Sequence, residues 1–185
     1  HDPLKERAAV IRRYEEDNAS DEAENHPVIA AMIERLDDSC GKIFDKVQES
    51  GLEENTIIIF FSDNGGRHIH AAQTPLRAGK GFLYEGGIRE PLIVKWRNKI
   101  NPGTTCNSLI SSVDFLPTLL EIAGIEDIPA NIDGLSIIPA LKDSSAEIHK
   151  ELFWHYPHYH SSGMVPAGAV RCGRWKLIEW YEKSL

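Results

Sequence analysis

Asp63 and Asn64 stand side by side at the end of an apolar run, Thr56-Ile57-Ile58-Ile59-Phe60-Phe61, and offer a carboxylate and an amide carbonyl as adjacent oxygen donors. Hard cations such as calcium take oxygen ligands of this kind. Asp-Asn-Gly is also turn chemistry, because Asn and Gly accept positive φ, and taken alone these residues read first as a turn. Further along, Arg77-Ala78-Gly79-Lys80-Gly81 and Tyr84-Glu85-Gly86-Gly87-Ile88-Arg89 set cations among glycines. Glycine lets backbone amides come close to a ligand, and Lys or Arg supplies charge for a tetrahedral anion. The spacing is not that of a Walker P-loop, and a glycine-rich surface loop with solvated charges is an equal reading. A third cluster is Trp154-His155-Tyr156-Pro157-His158-Tyr159-His160. Its imidazoles could bind a transition metal, contact a sugar beside the aromatic rings, or simply pack at a strand end. No Cys or carboxylate is near enough in sequence to complete a zinc set, so zinc ranks last. His68 and His70, just after the Asp-Asn pair, read as loop residues, with one of them facing a ligand as the alternative.

Elements must hold these groups in place. Ile29, Met32, Ile33, Leu36, Cys40, Ile43, Phe44 and Val47 fall at three- and four-residue steps, which predicts an amphipathic helix over 27–50. Pro27 suits its first turn and Gly51 its stop. The run 56–61 is β-branched and aromatic, the pattern of a buried strand inside an α/β sheet. Ligands gather at the carboxyl ends of such strands, where Asp63 and Asn64 stand. A second strand is expected at 92–96, a helix at 113–122 despite Pro117, and strands at 152–155, 168–171 and 175–180. The last two form a hairpin across Cys172-Gly173-Arg174. Residues 1–26 are a polar lead-in with a short helix near 8–14. Residues 128–141 read as loop with a turn at Asp133-Gly134. The simplest partition is one domain or part of one: the lead-in, an α/β part over 27–150 and terminal strands over 151–185.

The totals narrow the classes. With 185 residues, 42% hydrophobic and 26% charged, the chain has the make-up of a globular domain. Its formal net charge of -8 argues against nucleic acid as a partner. No apolar run approaches the roughly 20 residues that span a bilayer. The chain opens His1-Asp2-Pro3 without a secretory leader and reads as an internal piece, so its compartment stays open. Cys40, Cys106 and Cys172 are too far apart for a CxxC pair and imply neither a disulfide framework nor a zinc knuckle.

Taken together and in order, the motifs resemble the sulfatases of the alkaline phosphatase superfamily over residues 27–181. The matching runs are Leu36-Asp37-Asp38-Ser39-Cys40-Gly41, Asn55 through Gly66, Pro75-Leu76-Arg77-Ala78-Gly79-Lys80-Gly81, and Tyr84 through Val94. Val113-Asp114-Phe115-Leu116-Pro117-Thr118-Leu119-Leu120, Asp133-Gly134 and Arg171-Cys172-Gly173-Arg174-Trp175-Lys176-Leu177-Ile178 continue the likeness. His1-Asp2-Pro3 is similar to the family's His-x-Pro motif. The resemblance implies an α/β fold: an alkaline-phosphatase-like mixed sheet flanked by helices, incomplete here, with a small carboxy-terminal β-hairpin region. It implies a sulfate-ester hydrolase in which a formylglycine, made from Cys or Ser, attacks sulfur beside a calcium ion. On this likeness Asp63 and Asn64 are two calcium ligands, and Lys80 contacts the sulfate group near the leaving oxygen. His1 helps to protonate that oxygen, and His155 and His158 line a carbohydrate pocket. Export of the parent protein, to a periplasm or beyond the cell, is implied in the same way.

The departures are as informative. No Cys-x-Pro-Ser-Arg or Ser-x-Pro-Ser-Arg stretch occurs in residues 1–185, and the family's other calcium ligands, an amino-terminal Asp pair, are missing. The resemblance therefore implies part of a sulfatase, with a sulfated carbohydrate as substrate, an incomplete calcium site and the formylglycine expected in the missing amino-terminal part. A phosphate-ester hydrolase of the same superfamily and a non-catalytic binding module are the alternatives.

Overall fold

The computed structural model describes residues 4–17, 26–67, 70–125 and 131–182. They form two compact units, residues 1–94 and 95–185.

In the first unit, α1 (Ala8–Asp17) lies against α2 (Pro27–Glu49). Arg13 donates to the Glu34 carboxylate across the pair, which raises the one pKa and lowers the other. α1 runs beyond 8–14 because Glu15, Glu16 and Asp17 add no breaker. α2 meets its expected bounds: Pro27 lies in the first turn, Ser50 caps the end, and Gly51 takes a φ of 66° that other residues resist. Its apolar stripe is only partly covered. Ala31 is fully buried, whereas Ile33 (61%), Leu36 (51%) and Ile43 (60%) are exposed.

After α2 the chain enters β1 (Ile57–Phe61), which pairs with β2 (Leu92–Trp96) in a two-stranded sheet. The sequence reading puts this run inside a larger sheet, and among the described residues that does not hold. β1 has one neighbouring strand, its first four residues are half-buried and Phe61 is exposed. Such a run specifies two apolar faces and a strand on either side; how many partners are at hand is a tertiary matter. Between the strands, α3 (Glu85–Ile88) makes a short helical turn where the sequence reads as loop.

The second unit is built on α4 (Phe115–Ile122), α5 (Ile138–Lys142) and a three-stranded antiparallel sheet. A 3-10 turn at Ser112–Asp114 leads into α4 through a capping box formed by Ser111 and Asp114. Pro117 falls in the first turn of α4, where its missing N–H costs no helical bond. α5 corrects the loop reading of 128–141 near its end. Five residues are too few to show periodicity, and burial of Ile137, Ile138 and Ala140 sustains the turn.

β3 (Glu151–Tyr156), β4 (Ala167–Cys172) and β5 (Trp175–Trp180) follow in that order, with Phe153 opposite Val170 opposite Leu177 and His155 opposite Gly168 opposite Glu179. Gly173 and Arg174 close the expected β4–β5 hairpin. Ala167 and Ala169 on β4 and Met164 before it are buried, while Phe153 (70%), Trp175 (74%) and Leu177 (64%) are exposed.

Candidate active site

The carboxyl end of β1 is held by backbone contacts with the glycine-rich return that follows it. The N–H of Gly65 donates to the Gly87 carbonyl at 3.3 Å, the N–H of Gly86 to the Arg77 carbonyl at 2.9 Å, and the N–H of Lys80 to the Gly66 carbonyl at 2.9 Å. Three segments, 63–66, 77–81 and 84–87, are thereby tied main chain to main chain. Side chains would not fit. A Cβ on Gly65 would lie 1.8 Å from the Gly86 carbonyl oxygen, and one on Gly86 would lie 2.3 Å from that of Ala78. The glycines are there for close approach, as the sequence reading allowed, and one of them joins Lys80 to the strand end.

Asp63 is exposed and Asn64 half-buried at this end. The Ser62 hydroxyl donates to the Asn64 carbonyl at 2.9 Å, which shapes the turn out of the strand. Lys80 is exposed. Within the return, the Arg77 guanidinium lies over the Tyr84 ring, 4.0 Å from its centroid. The contact of Arg89 with Glu85 at 3.9 Å is a surface pair of little energetic weight.

Glu90 is a neighbour that the sequence reading passed over. One of its carboxyl oxygens, Oε1, is buried and has no hydrogen-bond partner among the described residues. Burial first, and then the negative charge of Asp63, holds its carboxyl above the usual range. A carboxylate beside a second, partly desolvated carboxyl group is an environment that favours a cation. The oxygen donors of Asp63 and Asn64 suit a hard one. The fit is partial, since calcium takes six to eight oxygens. Among the described residues there is no group of three or more His, Cys, Asp or Glu side chains that could hold a metal by itself. A signal for Glu90 was present: an acid between the Gly-Gly turn and strand β2 is a polar group entering a buried region.

His1 and His68 lie outside the described residues. His70 is half-buried, with its ring at 5.9 Å and edge-on to that of His26.

The remaining candidates belong to the second unit. His155, exposed on β3, has its Nδ1 2.8 Å from the Tyr181 hydroxyl, with ring centroids 5.6 Å apart. His158 is exposed and meets the Tyr156 ring edge-on at 5.6 Å. His160 is tied into its own loop: its Nδ1 accepts the Ser162 N–H at 3.1 Å, and its N–H donates to the Met164 carbonyl at 2.9 Å. The three imidazoles therefore have separate partners.

The second unit also has a buried polar hub. Asp114 is fully buried and accepts from the N–H of Ser111 at 2.7 Å and of Leu135 at 2.9 Å. The Nε2 of His149 approaches both of its oxygens, at 2.9 and 3.0 Å. The Thr118 hydroxyl donates to the Asp114 carbonyl at 2.6 Å and accepts from the N–H of Ile137 at 3.0 Å. One acid thus joins α4, the approach to α5 and the segment entering β3. Its role is structural.

Two family models match this chain: Sulfatase over residues 1–125, and N-sulphoglucosamine sulphohydrolase, C-terminal, over residues 78–184. A sulfatase of Formosa agariphila is 33% identical, the match covering 92% of this chain and 33% of that protein. An N-acetylglucosamine-6-O-sulfatase of Bacteroides thetaiotaomicron is 32% identical over 82% of this chain and 27% of its own length. The crystal structure of Ps i-CgsB in complex with k-i-k-neocarrahexaose superposes with a TM-score of 0.83 at 27% identity, covering 100% of this chain and 40% of that one. The chain thus spans about a third or less of the curated relatives it matches here. The Sulfatase model alone spans more than half of the chain, and the chain belongs to the sulfatase family.

Proposed function

We propose that residues 1–185 are part of a calcium-dependent sulfate-ester hydrolase acting on sulfated carbohydrate, and that they supply part of its cation site and its leaving-group side. The observation that carries this reading is the backbone knot joining Lys80 to the strand end that bears Asp63 and Asn64. The geometry supports a division of labour. Asp63 and Asn64 would hold the calcium ion, which when bound would neutralise sulfate oxygens and orient the nucleophile. Lys80 would place positive charge where the leaving oxygen becomes negative as the S–O bond breaks. His1, by its motif, would give that oxygen its proton. His155 and His158 would contact the sugar.

The formylglycine nucleophile has no source in residues 1–185, because they contain neither a Cys-x-Pro-Ser-Arg nor a Ser-x-Pro-Ser-Arg stretch. The family match favours sulfate over the phosphate ester of the wider superfamily. The relatives named for an aminosugar sulfate and a carrageenan-type ligand support carbohydrate as the substrate class. Among the described residues no helix is long and apolar enough to cross a membrane, and export of the parent protein rests on the family likeness alone.

The test is turnover of 4-nitrophenyl sulfate by the purified chain, by a full-length protein containing it, and by that protein carrying Asp63→Ala. The chain alone should give no turnover, with or without calcium, because positioning groups cannot replace a nucleophile. The full-length protein should be active, and Asp63→Ala should abolish that activity through weakened calcium binding. Robust turnover by the chain alone would overturn the missing-nucleophile argument.

A further inference from the structure

Among the described residues, one ring nitrogen of His155 is engaged and the other is not. Its Nδ1 lies 2.8 Å from the Tyr181 hydroxyl, whereas no described residue pairs with Nε2, and the residue is exposed on β3. The contact is built into the sheet. Gly168 is the cross-strand neighbour of His155, and a Cβ at Gly168 would come 2.6 Å from the Tyr181 hydroxyl and 3.4 Å from its Cζ. The missing side chain at this register position is what lets the Tyr181 ring cross β4 and reach β3. The N–H of Tyr181 donates to the Pro166 carbonyl at 3.0 Å, fixing the tyrosine main chain just beyond β5. The two rings meet at 38°, an imidazole beside an aromatic face.

We infer that Tyr181 is a positioning residue for His155, holding the imidazole so that Nε2–H is presented to an oxygen of a sulfated sugar. The inference rests on the proposed role of His155 in substrate binding and names the group that fixes it. With the Tyr181 hydroxyl as donor to Nδ1, the neutral imidazole carries its proton on Nε2, and a hydrogen-bond donor is what a hydroxyl or sulfate oxygen requires. The apolar face of Tyr181 beside it suits the C–H face of a pyranose. Ring and imidazole together form one small carbohydrate subsite within the second unit.

Two readouts on a full-length protein test this. The first is the imidazole nitrogen NMR spectrum. His155 should show the Nε2-protonated form in the wild type and a mixture of tautomers in Tyr181→Phe; identical His155 signals in the two proteins would overturn the inference. The second is the KM and kcat for N-acetylglucosamine 6-sulfate beside those for 4-nitrophenyl sulfate, which has no sugar. Tyr181→Phe and His155→Ala should each raise the KM for the sugar sulfate about tenfold, as for one lost hydrogen bond, and raise it by more than the KM for the aryl sulfate. His155→Gln, whose amide can stand in for Nε2, should keep the wild-type KM and be indifferent to Tyr181→Phe. If His155→Ala raises KM and Tyr181→Phe does not, the positioning role fails while the substrate role stands. If His155→Ala has no effect on the sugar sulfate, both fall.

Discussion

The two units fix their polar groups by opposite means. Around Asp63 and Lys80 the main chain does the holding, through glycine-to-glycine approaches in which a single Cβ would meet a carbonyl at 1.8 Å. Asp63 and Lys80 are exposed and so open to ligands. Around Asp114 a side chain does the holding: one buried carboxyl group gathers two backbone amides and an imidazole, and nothing is left over for a ligand. A backbone frame frees side chains for chemistry, while a side-chain hub uses its chemistry up.

The sharpest way to break this contrast is to empty the hub. Asp114→Ala should destabilise the protein by about 4 kcal/mol, since it leaves buried donors unpaired and a cavity behind. Urea unfolding of the full-length protein reads the loss, and a cost below about 1 kcal/mol would show that Asp114 is no hub. Gly65→Ala should follow at about 3 kcal/mol, because the strand end must move away from Gly86. Unlike Asp114→Ala, it should also lower activity in the molecules that remain folded. Intact activity would separate the glycine frame from the site.

The smallest effect has the opposite sign. Gly41 lies inside α2 and a Cβ there meets nothing within 4 Å. Gly41→Ala should therefore stabilise the protein by about 0.5–1 kcal/mol, seen as a higher unfolding midpoint. A destabilised variant would mean that the exposed side of α2 is covered in the full-length protein.

Much of the frame was legible in the sequence, for physical reasons that differ by element. α2 announces itself by periodicity and β1 by its β-branched run, and the β4–β5 hairpin by its Gly-Arg turn. α3 and α5 were not legible, because four- and five-residue turns exist only through the contacts that bury Gly86, Gly87, Ile138 and Ala140. That β1 has a single neighbouring strand among the described residues was hidden too, since an apolar run states what a strand needs and not what lies beside it. For the site, the motif order named Asp63, Asn64 and Lys80, and the knot ties the segments that carry them. Glu90 and Tyr181 escaped because their neighbours, Asp63 and His155, are distant in sequence or reached across a sheet.

The central claim is that Lys80, joined to the β1 strand end through Gly66, serves the leaving group of a sulfate ester. The most direct measurement is kcat for 4-nitrophenyl sulfate in the full-length protein and in its Lys80→Ala variant, with calcium saturating and folding verified by the unfolding midpoint. The account predicts a fall on the order of a hundredfold or more with an unchanged midpoint, as for the loss of a group that stabilises transition-state charge. A Lys80→Ala protein that turns over as fast as its parent would contradict it.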